Sequence, residues 1–118
     1  MKPVIKVWCL PKMTEEALEK LYRSIGATVI RIKELGLNDE SDIICLFPSD
    51  MMTYGIGEEI VVEVTGIFGG PRLTEIVQAR VAKALGKTVL AIFPKARIEV
   101  FVYPLEPKQG WWDSRLII

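Results

Sequence analysis

The chain has 118 residues, half of them hydrophobic, with 15 basic and 15 acidic side chains and no histidine. A chain of this length buries roughly 65% of its unfolded surface and folds without staples, while its balanced charge offers no global attraction for nucleic acid or an anionic membrane. Histidine-based triads and typical zinc sites are excluded, and Cys9 and Cys45, each alone in an apolar run, suit buried thiols in a reducing, cytoplasmic setting better than a disulfide framework or metal ligands.

The first strand is expected over Val4 to Leu10, where β-branched and aromatic residues cluster before Pro11. Thr14 then caps a helix, with Glu15 and Glu16 in its first turn and Leu18, Leu21, Ile25, Val29 and Ile32 forming one stripe, so the helix is predicted from Thr14 to Leu35. Gly26 inside it implies close packing, for instance against a sheet, and Gly86 repeats that feature. After a polar break from Gly36 to Asp42, Ile43 to Phe47 reads as a second strand, followed by Pro48 and the Tyr54-Gly55-Ile56-Gly57 turn. A third strand follows from Ile60 to Phe68, then the Gly69-Gly70-Pro71 turn, a helix from Arg72 to Ile92, and a fourth strand from Arg97 to Tyr103 ended by Pro104. The tail from Leu105 to Ile118, with two prolines and two tryptophans, is expected to dock on something. No apolar run reaches the roughly 18 residues that span a bilayer, and the N-terminus has no signal-peptide core, so neither membrane insertion nor export is expected.

The two halves echo each other. Pro11-Lys12-Met13-Thr14-Glu15 recurs as Pro71-Arg72-Leu73-Thr74-Glu75, and Gly26-Ala27-Thr28-Val29-Ile30 as Gly86-Lys87-Thr88-Val89-Leu90, both at an offset of 60. A shared offset places both echoes in one alignment of the halves, 1–58 and 59–118, within a single domain. Two β-α-β units with right-handed crossovers give an α+β fold, a four-stranded sheet with both helices on one face. The strands Ile43 to Phe47 and Ile60 to Phe68 carry few charges and suit burial on both sides, and the chain has no second layer to spare, so self-association is expected to cover the other face.

The doubled β-α-β plan, the Lys12 or Arg72 turn followed by Thr-Glu at each helix start, and Thr53-Tyr54-Gly55-Ile56-Gly57-Glu58-Glu59 resemble the tautomerase superfamily, which includes 4-oxalocrotonate tautomerase, 5-carboxymethyl-2-hydroxymuconate isomerase and macrophage migration inhibitory factor. The likeness runs over nearly the whole chain and also fits a branch of uncharacterised bacterial proteins. It implies a homotrimer, pockets at the subunit interfaces, no cofactor, and proton transfer on a small enolisable 2-keto or enol carboxylic acid by an N-terminal proline acting as general base. Here the chain departs. Pro3 follows Met1-Lys2, so its nitrogen is an amide, and the family spacing counted back from Lys12 falls on Lys2. A one-residue shift turns a strand side chain to the other face. The catalytic candidates are thus Pro3, against its plain reading as a strand-start proline, and Lys2 if Met1 is lost.

Arg72 matches the family arginine that grips the substrate carboxylate, and its fork could act together with helix amides; a solvated helix-start arginine is the plainer reading. Lys12 holds the same place in the first half as a point charge. Tyr54 matches the hairpin aromatic of the pocket wall, with Trp111 or Trp112 as its partner from the second half, or all three pack between subunits. Arg97 completes a cationic pocket or is a surface residue. Gly69-Gly70 has no further glycines or lysine to make a nucleotide loop. Three readings follow: a tautomerase-like isomerase; a non-catalytic homotrimer that binds a small anionic metabolite or serves as a scaffold; and a ferredoxin-like regulatory module, which would be dimeric.

Overall fold

The computed structural model describes residues 2–49 and 58–111. Strand β1 is Val4–Trp8, with Ile5 and Val7 fully buried and Val4, Lys6 and Trp8 half-buried on the opposite face. It stops short of Leu10 because Cys9 takes φ +66, a left-handed turn that leaves the extended path. The Thr14 hydroxyl accepts from the Ala17 amide at 3.1 Å and starts helix α1, Glu15–Ile30.

α1 ends earlier than its apolar spacing predicts. Ile32 is extended, and a 3-10 turn over Lys33–Leu35 closes at Gly36, which takes φ +65. Leu21, Ile25, Val29, Ile32 and Leu35 are nevertheless all buried. The stripe therefore continues across the break, and spacing alone overruns the helix. Strand β2 is confined to Ile44–Leu46, shorter than the Ile43–Phe47 expectation.

The second half repeats the order with β3, Glu59–Thr65, α2, Glu75–Ile92, and β4, Arg97–Val102. β3 ends before the expected Phe68 because Gly66 turns the chain at φ +76. α2 begins after the expected Arg72 because Leu73 N bonds Gly70 O at 3.1 Å in a turn, leaving Thr74 as the cap. The strands form one sheet ordered β2-β1-β3-β4, with β1 parallel to β2, antiparallel to β3, and β3 parallel to β4.

Both helices cover one face. Ile5, Val7, Ile60, Val62 and Val64 from the sheet meet Leu21, Ile25, Val29, Val81, Leu85 and Val89 from the helices in one core. The helices touch where the halves correspond: Thr28 Oγ1 lies 2.6 Å from Thr88 Oγ1. The other sheet face is open in the single chain, the face for which the sequence offers no second layer. β3 and β4 alternate, placing Glu59, Glu63, Arg97 and Glu99 on the open face, where Ile44, Leu46, Phe101 and Tyr103 are 40–47% exposed. Phe101 and Tyr103 stack there with centroids 6.3 Å apart, and the Trp8 indole donates to Glu63.

The glycines expected to mark tight packing differ from one another. A Cβ at Gly26 would press on the Glu40 Cγ at 3.3 Å, whereas one at Gly86 would meet only the Val100 Cγ2 at 3.6 Å, an ordinary contact with β4. At Gly66 a Cβ would lie 2.7 Å from the Lys2 carbonyl oxygen on a left-handed backbone. Thermal and urea unfolding should therefore show opposite signs: Gly66→Ala loses about 1–3 kcal/mol, and Gly86→Ala gains up to about 1 kcal/mol.

Candidate functional site

Strand direction sorts the candidate residues. Because β1 and β3 are antiparallel, Val4 pairs with Thr65 and Trp8 with Val61. Lys2 and Pro3, which lead into β1, therefore share a sheet end with the turn that follows β3 and carries Arg72. Lys12, just after β1, and Arg97, which opens β4 opposite Glu59, belong to the other end. One chain does not gather the expected cations into a single pocket.

At the first end, Pro3 is buried and continues the inward side of β1 with Ile5 and Val7, and its carbonyl accepts from the Ile44 amide at 2.9 Å. Lys2 is exposed, so the two catalytic candidates sit on alternate sides of the chain. Two hydrogen bonds from Ser41 hold the Asp39 carboxyl below the usual carboxylate range, and the charge of Lys2 adds to this.

Arg72 is exposed beside a cavity of about 250 Å³ bordered by Phe68, Gly69, Gly70, Leu35 and Glu34. Its Nη2 lies 3.8 Å from where a Cβ on Gly36 would be. Among the described residues Arg72 makes no ion pair. Its charge nonetheless reaches Glu34, whose carboxyl is held below its ordinary value first by a hydrogen bond from Arg80 and further by the charges of Arg80 and Arg72. The sequence does not single out Glu34, which falls in the last turn of the predicted Thr14–Leu35 helix; in the structure it lies in the 3-10 turn after α1, paired with Arg80 and beside Arg72.

At the other end, Lys12 is exposed over a cavity of about 340 Å³ with Leu10, Met13, Leu18, Phe47 and Pro48. The Arg97 side chain is 84% exposed on the open sheet face, with a loose 3.9 Å contact to Glu59. Trp111 is 85% exposed. Tyr54 and Trp112, the other aromatic candidates, lie outside the described residues. No group of three or more acidic or cysteine side chains among the described residues is placed to hold a metal ion, and no described helix is long and apolar enough to cross a membrane.

No protein-family model matches the chain, and no curated protein matches it. The similarity is structural. A fused wild-type 4-OT symmetric trimer matches at a TM-score of 0.65 and 17% identity over 94% of this chain and 91% of that one. Macrophage migration inhibitory factor of Toxoplasma gondii matches at 0.65 and 14% identity over 95% of this chain and 97% of its own. A member of the cis-3-chloroacrylic acid dehalogenase family matches at 0.67 and 10% identity over 92% of this chain and 79% of its own. The chain therefore has the tautomerase/MIF-like fold, an α+β sheet of tandem β-α-β units.

Cys45, on the helix side of β2, has its thiol pushed up to about 12 from 9.0 by burial. Since the thiolate is the nucleophile, Cys45 should resist iodoacetamide in the native protein at mildly alkaline pH and react once unfolded, as peptide mass spectrometry would show. Between 9.0 and about 12 the unfolded thiol releases its proton while the folded one keeps it, so stability should fall as pH rises through that window.

Proposed function

We propose that this chain is a cytoplasmic, tautomerase-like protein, one domain of two repeated halves that assembles as a homotrimer and binds a small 2-keto or enol carboxylic acid, with isomerisation of that acid as its activity. One observation carries the reading: Arg72, exposed and without an ion partner among the described residues, borders a cavity at the sheet end that also holds Lys2 and Pro3. Its guanidinium offers two parallel donors that match a carboxylate. Three structural neighbours are fused 4-OT trimers, which supports assembly, and the open sheet face is the surface this chain offers for it.

The chemistry requires a base. Moving a proton between carbons of an enol acid calls for a free amine of lowered pKa, whereas the Pro3 nitrogen in the Lys2–Pro3 peptide is an amide. Loss of Met1 and Lys2 would free the Pro3 amine, and loss of Met1 alone would free that of Lys2. With neither residue lost, the amide at Pro3 leaves a second reading, a trimer that binds the acid without turning it over.

Calorimetric titration with a 2-keto acid should give binding in the wild type and a loss of about tenfold or more in Arg72→Ala, with a trimeric mass by sedimentation in both. Unchanged affinity would remove Arg72 from the site. The intact mass of untagged protein from its own host separates the two readings. A mass lacking Met1 and Lys2 predicts isomerase activity that a Pro3→Ala variant loses, and a full-length mass predicts binding alone.

A further inference from the structure

A second cationic hollow lies on the helix layer. Beside the end of α1 and the middle of α2 is a cleft of about 640 Å³ lined by Arg31, Lys33, Arg80, Lys83 and Lys87 against one carboxylate, Glu34. Arg80, Lys83 and Lys87 are spaced to share one helix face. Glu34 is engaged by Arg80 at 2.5 Å, and the other four cations make no ion pair among the described residues. All five are exposed, so packing does not demand them.

The duplicated chain contains its own control. At the offset of 60, Arg31, Lys33 and Lys87 correspond to Ala91, Phe93 and Ala27, and Glu34 to Pro94. Only Arg80 and Lys83 have cationic counterparts, in Lys20 and Arg23. The helix pair therefore folds without these charges on one side and gathers them on the other, in a protein whose formal net charge is zero. Clustered like charges repel one another, a cost that a bound polyanion relieves. Buried Ile32 and half-buried Ala84 contribute an apolar surface to the cleft.

We propose that this cleft binds a short chain of phosphoryl groups, either a free polyphosphate or the tail of a nucleotide. Its volume is that of a small-ligand site, and its cations come from the turn after α1 and from α2 around one hollow rather than along a nucleic-acid track. It lies on the face opposite the open sheet, so assembly through the sheet would leave it accessible. It is also distinct from the Arg72 cavity, with Glu34 bordering both.

The full-length chain is titrated by calorimetry with sodium tripolyphosphate and with ATP, at low and at physiological salt. Expected are salt-sensitive binding, a loss of about tenfold or more in Lys83→Glu/Lys87→Glu, and tighter binding in Glu34→Gln, which releases Arg80. The same charge reversal in the other half, Lys20→Glu/Arg23→Glu, should change affinity by no more than about twofold. Equal affinities for the two probes make the phosphate chain the ligand, and a clear preference for ATP adds the base against Ile32 and Ala84; either supports the site. Absence of binding overturns the proposal, as does equal weakening by both double variants, which would mean nonspecific attraction. A single-stranded oligonucleotide that outcompetes both probes and loses binding in Lys83→Glu/Lys87→Glu overturns it in favour of nucleic acid.

Discussion

The antiparallel seam between β1 and β3 is the contact on which the rest of the molecule depends. Each half alone supplies two parallel strands and one helix, too little to enclose a core. The seam, from Val4 opposite Thr65 to Trp8 opposite Val61, turns two such pieces into one sheet and lays both helices on the same face. The same pairing fixes where each loop emerges. Arg72 leaves the sheet beside Pro3, and Lys12 leaves it at the far end.

The two faces of that sheet have different chemistry. The covered face is wholly apolar, whereas the open one mixes Ile44, Leu46, Phe101 and Tyr103 with Lys6, Glu63, Glu99 and Arg97. Such a mixture suits an assembly surface that must also remain soluble before its partners arrive. On the helix layer the contrast is one of charge, since Arg31, Lys33 and Lys87 break the likeness of the halves where nothing in the packing requires it.

Much of this was legible in the sequence because it is local. Thr14 and Thr74 announce their helices, and the stripe from Leu21 to Leu35 marks the buried side even where the helix gives way to a tighter turn. Element ends were less legible, because Cys9, Gly36 and Gly66 redirect the backbone through positive φ values that no periodicity encodes. The grouping of site residues was hidden for a different reason. Nothing in the repeat states whether the halves join parallel or antiparallel, and that choice separates Lys12 from Arg72. Glu34 was hidden because its neighbours Arg72 and Arg80 come from the other half.

Where Thr28 meets Thr88, the repeat is obeyed by the heavy atoms and broken by the hydrogens. Besides their mutual 2.6 Å contact, Thr28 Oγ1 lies 2.8 Å from the Ser24 carbonyl and Thr88 Oγ1 lies 3.0 Å from that of Ala84. Two hydroxyl protons serve three contacts, so one threonine bonds its own helix while the other donates across to it. The mirror arrangement is equal in kind, and a concerted rotation of both hydroxyls exchanges them. The centre of the helix layer is thus a two-position rotor. In a dimer of identical half-chains the two positions would be degenerate; in a single chain, unequal surroundings are free to bias one over the other.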